Sequence, residues 1–185
     1  MMLEGERINL RVMEKDDIPV FVQWYNDVEF QGEYFPFLQK STAQTIKEFE
    51  NPSPLKLAMG NVEFIIEKKD GKKIGHIGYG KDILHEWIEI GYATIPSERK
   101  KGYGTEAIQI LIDYLFLYKD IPRITIYTDA RNTASIKAAE NAGFKKEGIV
   151  RKGGFVKGEY ADWCLLGLLR EEWKEPKIIK LRQRQ

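Results

Sequence analysis

The sequence predicts a mixed α/β fold: one domain, with a central mixed sheet of about seven strands in a single layer and helices on both faces. Three observations carry that expectation. Short β-branched and aromatic runs such as "RINLRVM" are interspersed with stretches whose apolar residues recur at helical spacing. Gly, Pro, Asn and Asp punctuate the boundaries. The order is strand, two helices, three strands, helix, strand, helix, two strands, which builds a sheet with helical layers rather than a bundle or an all-β sandwich.

Each element has its own local reason. After the first strand, "KDDIPVFVQWYND" offers Asp16 or Asp17 as a helix cap and Pro19 in the first turn, with Ile18, Phe21, Val22 and Tyr25 on one face. "STAQTIKEFEN" carries Ser41 and Gln44 at capping-box spacing. Between these helices "FQGEYFPFLQK" is an aromatic connection suited to covering something. "VEFIIEKKDGKKIGHIGYG" reads as a hairpin with Asp70-Gly71 as a two-residue turn, and "EWIEIGYATI" as the next strand. Ala107, Ile108, Leu111, Ile112 and Leu115 form one stripe of a helix from about Tyr103 to Tyr118. "RITIYTD" is a strand, Asn132 caps the helix "TASIKAAENA", and Gly143 stands where its left-handed terminus is required. "FKKEGIVR" and "DWCLLGLLR" are the last strands, joined through the turn region "KGGFVKGEY".

Composition narrows the function classes. With 29 basic and 28 acidic side chains the net charge is +1, so no global field gathers nucleic acid or an anionic membrane, and neither is expected as a partner. No apolar run approaches a membrane span and the first residues do not read as a leader, so a soluble, cytoplasmic protein is expected. The domain is expected to span residues 1–173, with 174–185 ("KEPKIIKLRQRQ") a solvated basic tail or short arm. Cys164 reads as a packing residue, and a chain with one cysteine forms no internal disulfide. His76 and His85 are the two histidines and neither sits at metal-ligand spacing, so no metal is expected and strand or surface packing is the favoured role of both.

The chemistry concentrates in "SERKKGYGTEA", a glycine-containing turn that opens a helix and aims several N–H groups at one spot, a recipe for phosphate. Gly102, Gly104 and Ala107 match GxGxxA, and Asp129 ends the next strand 22 residues on, as in dinucleotide folds. Two features oppose that reading: "PSERKK" separates strand from glycine, and the strands around this unit follow an antiparallel hairpin order. A Walker-type loop fails because no Lys followed by Ser or Thr comes after the second glycine. A pyrophosphate with a further phosphate is well served by Arg99, Lys100 and Lys101 with the N–H groups of Lys101, Gly102, Tyr103, Gly104 and Thr105.

"RKKGYG" resembles the R/QxxGxG/A signature of the GNAT acyltransferases. "EIGYATI" before it, "GYGTEA", "NTASIKAAENAGF" and the late "EG" with "R" resemble the branch that acetylates N-terminal amines of ribosomal proteins, with its spermidine and aminoglycoside relatives. The resemblance implies acetyl-CoA as co-substrate, its pyrophosphate on the turn amides. It also implies a strand, here Ala93, Thr94 and Ile95, that splays from "ITIYTD" to pair with the pantetheine arm, an N–H near Ile95 as oxyanion donor, and Asn132 and Ser135 at the NxxS contact positions. The family's usual tyrosine acid falls on Ala139, and a thiol of pKa near 8.5 leaves without a strong acid. An α-amine is roughly 10% neutral at pH 7 and a lysine-like amine about 0.04%, so without an obvious strong base the α-amine is the easier acceptor. The expected reaction is direct acetyl transfer to a protein or peptide α-amine, with a polyamine, an aminoglycoside or a non-catalytic acyl-CoA sensor as alternatives, and a homodimer as the default assembly. Glu89 is the candidate base, while Trp24, Tyr25, Glu33, Tyr34, Phe35 and Phe37 are candidates for the amine pocket.

Overall fold

The computed structural model describes residues 2–36, 38–81 and 87–179. The strands are β1 (Met2–Glu4), β2 (Ile8–Val12), β3 (Val62–Lys68), β4 (Lys73–Lys81), β5 (Ile88–Thr94), β6 (Arg123–Asp129), β7 (Lys145–Val156) and β8 (Glu159–Leu169). The helices are α1 (Ile18–Asn26), α2 (Val28–Gln31), α3 (Thr42–Glu50), α4 (Pro54–Met59), α5 (Tyr103–Tyr118) and α6 (Thr133–Ala142). All the strands join one sheet in the order β1-β2-β3-β4-β5-β6-β8-β7. Each neighbouring pair is antiparallel except β5 with β6.

Strand alternation divides the core in two. Phe64, Ile66, Ile77, Ile90, Ile124 and Ile126 face α5, whose stripe of Ala107, Ile108, Leu111, Ile112 and Leu115 is buried against them. Ile65 points the other way, into a smaller cluster with Trp24 of α1 and Phe30 of α2. Helices therefore cover both faces, as expected from the sequence.

The structure adds an eighth strand and two short helices. β1 is three residues long and pairs Leu3 with Leu10, too brief for its own periodicity to show. The Asp70-Gly71 turn is not a two-residue loop: Lys68 N–H donates to Lys72 O, Gly71 N–H to Lys68 O, and only Gly71 has positive φ, +84°, which describes a three-residue loop with a glycine bulge. "KGGFVKGEY" is mostly strand, because β7 runs to Val156 and the reversal is confined to Lys157 and Gly158, both at positive φ.

Two buried carboxylates fix where the helices sit. Asp17, at the start of α1, accepts Arg11 Nη1 and Nη2 at 2.8 and 2.9 Å, Lys73 Nζ at 2.7 Å and the Glu14 N–H at 2.9 Å. Glu106, in the first turn of α5, accepts the N–H groups of Arg7 at 2.8 Å and Ile8 at 3.3 Å as well as Arg7 Nε at 2.8 Å. These ties hold α1 against β2 and β4, and α5 against the β1–β2 turn. The C-terminal segment is not wholly a solvated tail: buried Asp113 of α5 accepts the N–H groups of Ile178 and Ile179 at 2.7 and 3.0 Å, besides Trp173 Nε1 at 3.1 Å. Among the described residues no helix is long and apolar enough to cross a membrane.

Candidate active site

The sheet opens at its parallel pair. β5 and β6 pair at Ile88 with Ile124 and at Glu89 with Thr125, and their pairing ends there, although both strands continue. The remainder of β5, through Ala93 and Thr94, stays bonded to β4 alone. Backbone alternation then decides which groups face the opening. The Ile95 N–H donates to Ile74 O at 2.8 Å, so it is consumed on the β4 side and is no oxyanion donor. Ala93, in phase with it, turns the same way, whereas the N–H groups of Thr94 and Tyr92 turn towards β6 and the opening. The N–H near Ile95 that faces the opening is that of Thr94.

At the wide end of the opening stands the "RKKGYG" turn. Gly102, at φ +84°, precedes Tyr103, and no side chain caps α5, so the N–H groups of Tyr103, Gly104 and Thr105 lack intrahelical acceptors. α6 contrasts with it, because the Asn132 side chain accepts the Ser135 N–H at 3.1 Å. A Cβ on Gly104 would lie 3.0 Å from the Tyr92 ring, so glycine here lets β5 pack close under the helix terminus. Across the opening, the Tyr92 hydroxyl meets Ser135 Oγ at 3.3 Å and ties β5 to α6. Burial pushes the Tyr92 hydroxyl's pKa up, outweighing that hydrogen bond, so the phenol stays protonated.

The three cations of the turn have different tasks. Arg99 points away from the amides: its Nε donates to Thr94 O at 3.1 Å and its Nη2 to the carbonyls of Glu29 and Phe30 at 3.1 and 2.5 Å, closing the end of α2. That use was illegible in sequence, since its partners are 69 and 70 residues away. Lys101 pairs with Glu98 at 2.9 Å, which Lys72 also reaches at 2.9 Å. Lys72 and Lys101 together hold the Glu98 carboxyl at about 2. Lys100 is exposed at φ +60°, with no ion pair among the described residues, and is the cation left for a phosphate. Beside the turn, Arg7, Gly102, Thr105, Gln109, Asn141 and Lys177 line an open cavity of about 470 Å³. Glu6 and Glu106 line it too, and Glu106 already pairs with Arg7, so Lys177 is the cation it adds next to the amide cluster.

The opposite surface of the sheet is the one that α1 and α2 cover. Its floor is glycine: Gly78 of β4 pairs with Gly91 of β5, and a Cβ on Gly91 would meet no atom within 4 Å. Glu89 and Ala93 flank Gly91 on that face, Glu89 exposed and Ala93 packed towards Trp24 and Phe30. The expected pocket wall is divided by the structure. Tyr25 lies on His76 with ring centroids 5.4 Å apart. Trp24 is instead a core residue, stacked on Phe30 at 5.4 Å and 7% exposed. Tyr34 sits over the Arg131 guanidinium at 5.8 Å, while Glu33 and Phe35 are exposed. Phe37 and His85 lie outside the described residues.

Asp129 settles the dinucleotide alternative. Its carboxylate accepts the N–H, Nε and Nη2 of Arg131 at 2.9, 3.0 and 2.8 Å, and the sheet around it is almost wholly antiparallel, unlike a doubly wound dinucleotide fold. Cys164 is fully buried in β8, and burial pushes its thiol up, as a packing residue requires.

A mixed sheet parted at one parallel pair, with an uncapped helix terminus behind a cationic turn, is the architecture of an acyltransferase. Residues 7–145 match the acetyltransferase (GNAT) domain family, and the chain belongs to it: it is an acetyl-CoA-dependent N-acetyltransferase. It is 34% identical over 174 residues to the uncharacterized N-acetyltransferase p20 of Bacillus licheniformis, covering 92% of this chain and 97% of that one. Among solved structures it resembles RimL, a ribosomal L7/L12 α-N-protein acetyltransferase in complex with coenzyme A, with TM-score 0.79, 18% identity, and 91% and 98% of the two chains covered. It also resembles spermidine N-acetyltransferase from Vibrio cholerae in complex with CoA and spermine, with TM-score 0.78, 20% identity, and 90% and 97% covered. At those identities the structural likeness establishes the fold.

Proposed function

We propose that the protein transfers the acetyl group of acetyl-CoA to the α-amine of a protein or peptide, by direct attack within a ternary complex. The observation that carries this reading is the placement of the opening: the Thr94 and Tyr92 amides border it, and the glycine floor with its acidic and aromatic borders adjoins it, so thioester and amine approach from opposite faces. The amides of Lys101, Gly102, Tyr103, Gly104 and Thr105 with Lys100 hold the pyrophosphate. Arg99 shapes that turn instead of contacting phosphate directly. Asn132 and Ser135 border the pantetheine arm, and Lys177 lies where a further phosphate finds counter-charge. Thr94 N–H is the oxyanion donor, worth about 3 to 4 kcal/mol by analogy with deletable donors.

RimL, a ribosomal L7/L12 α-N-protein acetyltransferase, supports the choice of acceptor through a shared fold only; the spermidine enzyme supports a small polyamine to the same degree. The preference for the α-amine rests on its larger neutral fraction. Thiol release from acetyl-CoA should be measured across peptides with free N-termini, their N-formylated counterparts, polyamines and aminoglycosides. Turnover confined to free-amine peptides is the expected result. Turnover confined to polyamines or aminoglycosides would replace the acceptor, and acetyl-CoA binding without turnover would make the protein a sensor.

Glu89, the base expected from the sequence, flanks Gly91 on the acceptor face and is proposed instead to bind the acceptor's ammonium, directly or through water. Glu89→Gln is expected to raise the KM for the amine about tenfold, the worth of one charge-assisted contact of about 1.4 kcal/mol, and to shift the pH profile of turnover. Unchanged kinetics from pH 6 to 9 would remove Glu89 from the mechanism.

A further inference from the structure

His76 is buried, 7% exposed, on the acceptor face of β4. Its strand neighbours in register are Ile65 and Ala93, so it stands directly beside the part of β5 that borders the opening. Its Nδ1 lies 2.6 Å from Glu63 Oε1 on β3. A carboxylate only accepts, so Nδ1 is the donor and a neutral ring must carry its lone pair on Nε2. Nε2 has no hydrogen-bond partner among the described residues and is not sealed from solvent. Phe21, Tyr25 and Phe30 hold the ring with centroids 5.1, 5.4 and 6.0 Å away, which fixes its orientation.

The same wall already holds a primary ammonium. Lys40 Nζ lies 4.5 Å from the Tyr25 ring and 5.5 Å from that of Phe21, its backbone pinned by paired hydrogen bonds with the Asn26 side chain at 2.8 and 2.9 Å. Aromatic faces next to a carboxylate suit an alkylammonium.

We propose that the Glu63–His76 pair is the proton acceptor for the attacking amine, with His76 Nε2 as the base and Glu63 as its positioning residue. This assignment deepens the transferase reading and rests on it. The acceptor's ammonium gives one proton to Nε2, and Glu63 stabilises the imidazolium. The neutral nitrogen forms its bond to the thioester carbon, the C–S bond breaks, and the second proton lost by nitrogen ends on the departing thiolate sulfur. The imidazolium releases its proton to water as products leave, so one ammonium and one thioester give one amide, one thiol and one proton. Among the described residues, the charged and titratable groups facing the ring are Glu63 from β3, Tyr25 from α1 and Lys40 from the α2–α3 connection; Phe30 from α2 and Ala93 from β5 bring none.

The test is steady-state kinetics of the full chain from pH 6 to 9 with the best acceptor of the panel, for wild type, His76→Gln, His76→Ala and Glu63→Gln. Acetyl-CoA affinity, measured by calorimetry, serves as the check on folding. The expected result is a fall in kcat of about 100-fold or more for His76→Gln with acetyl-CoA affinity unchanged, loss of the acid limb of the pH profile, and partial rescue of His76→Ala by added imidazole. Glu63→Gln, which leaves the ring in place, is expected to lose about tenfold and to move that limb. Wild-type turnover with unchanged kcat and pH profile in His76→Gln would overturn the dyad alone. So would a His76→Ala loss that imidazole does not restore combined with an unmoved profile in Glu63→Gln. Absence of wild-type turnover with every amine would overturn the transferase reading and the dyad's role together.

Discussion

Gly91→Val is expected to abolish acetyl transfer while leaving the protein folded and able to bind acetyl-CoA. The side chain would enter the space above Gly91, where a Cβ meets no atom within 4 Å, and Gly91 lacks the positive φ that would make a branched residue strained. Valine suits a strand interior better than glycine by about 0.5–1 kcal/mol, so stability should hold or rise. What the two methyl groups occupy is the floor between Glu89 and His76, where the acceptor is proposed to lie. Transfer to a peptide amine should fall at least about 100-fold, the amount that an ångström of misplacement alone can cost. Gly78→Ala is not an equivalent control, because its Cβ would lie 2.4 Å from Glu63 Oε2. If Gly91→Val transfers acetyl at the wild-type rate, the acceptor does not lie on this face of β5.

Asp17→Asn is expected to be the most destabilising single substitution outside the hydrophobic core. Asp17 is 2% exposed, and burial alone would push its carboxyl up; the guanidinium of Arg11, the ammonium of Lys73 and the Glu14 N–H prevail and hold it well below the usual carboxylate range. The amide keeps the shape but removes the charge facing both cations, one of which, Arg11, retains Glu67 at 3.0 Å. A loss of about 3 kcal/mol follows from breaking a buried pair on one side. For a chain of this size that is a fall in Tm of about 8 °C, measurable by calorimetry. Because the folded pKa is depressed, Asp17 contributes fully above its unfolded value of about 3.9, and that contribution fades as pH falls towards the depressed value. The variant's deficit should therefore shrink in acid; a deficit constant from pH 7 to pH 3 would show that the charge is not its source. Since α1 carries Phe21 and Tyr25 onto His76, the same substitution should also lower turnover at temperatures where the variant is still folded.

The ties on the two sides of the opening share one design. Arg99 joins the cationic glycine turn to α2, α2 contributes Phe30 to the wall of His76, and Asp17 anchors the helix that precedes it. Displacement of α1 and α2 therefore disturbs both sides of the opening.

Local chemistry made much of this molecule legible in sequence. α5 and α6 begin and end where their apolar stripe, Asn132 and Gly143 place them, because caps and periodicity are interactions within a few residues. The cationic glycine turn was equally legible as a cluster of N–H groups, because a helix terminus leaves them without intrahelical acceptors wherever the helix goes. Tertiary structure alone decided the rest. That His76 meets Glu63 depends on the register of β3 with β4, which one residue's slip would reverse. That Thr94 and not Ile95 offers its N–H to the opening follows from the phase of the β4–β5 ladder. Trp24 became core, and Arg99 a clamp on α2, because packing across the sheet placed Phe30 within reach of both. The sequence by itself determined most of the elements and the amide-rich turn; only the register and packing between distant strands decided which of its many polar groups face the opening, because those contacts carry no local signature.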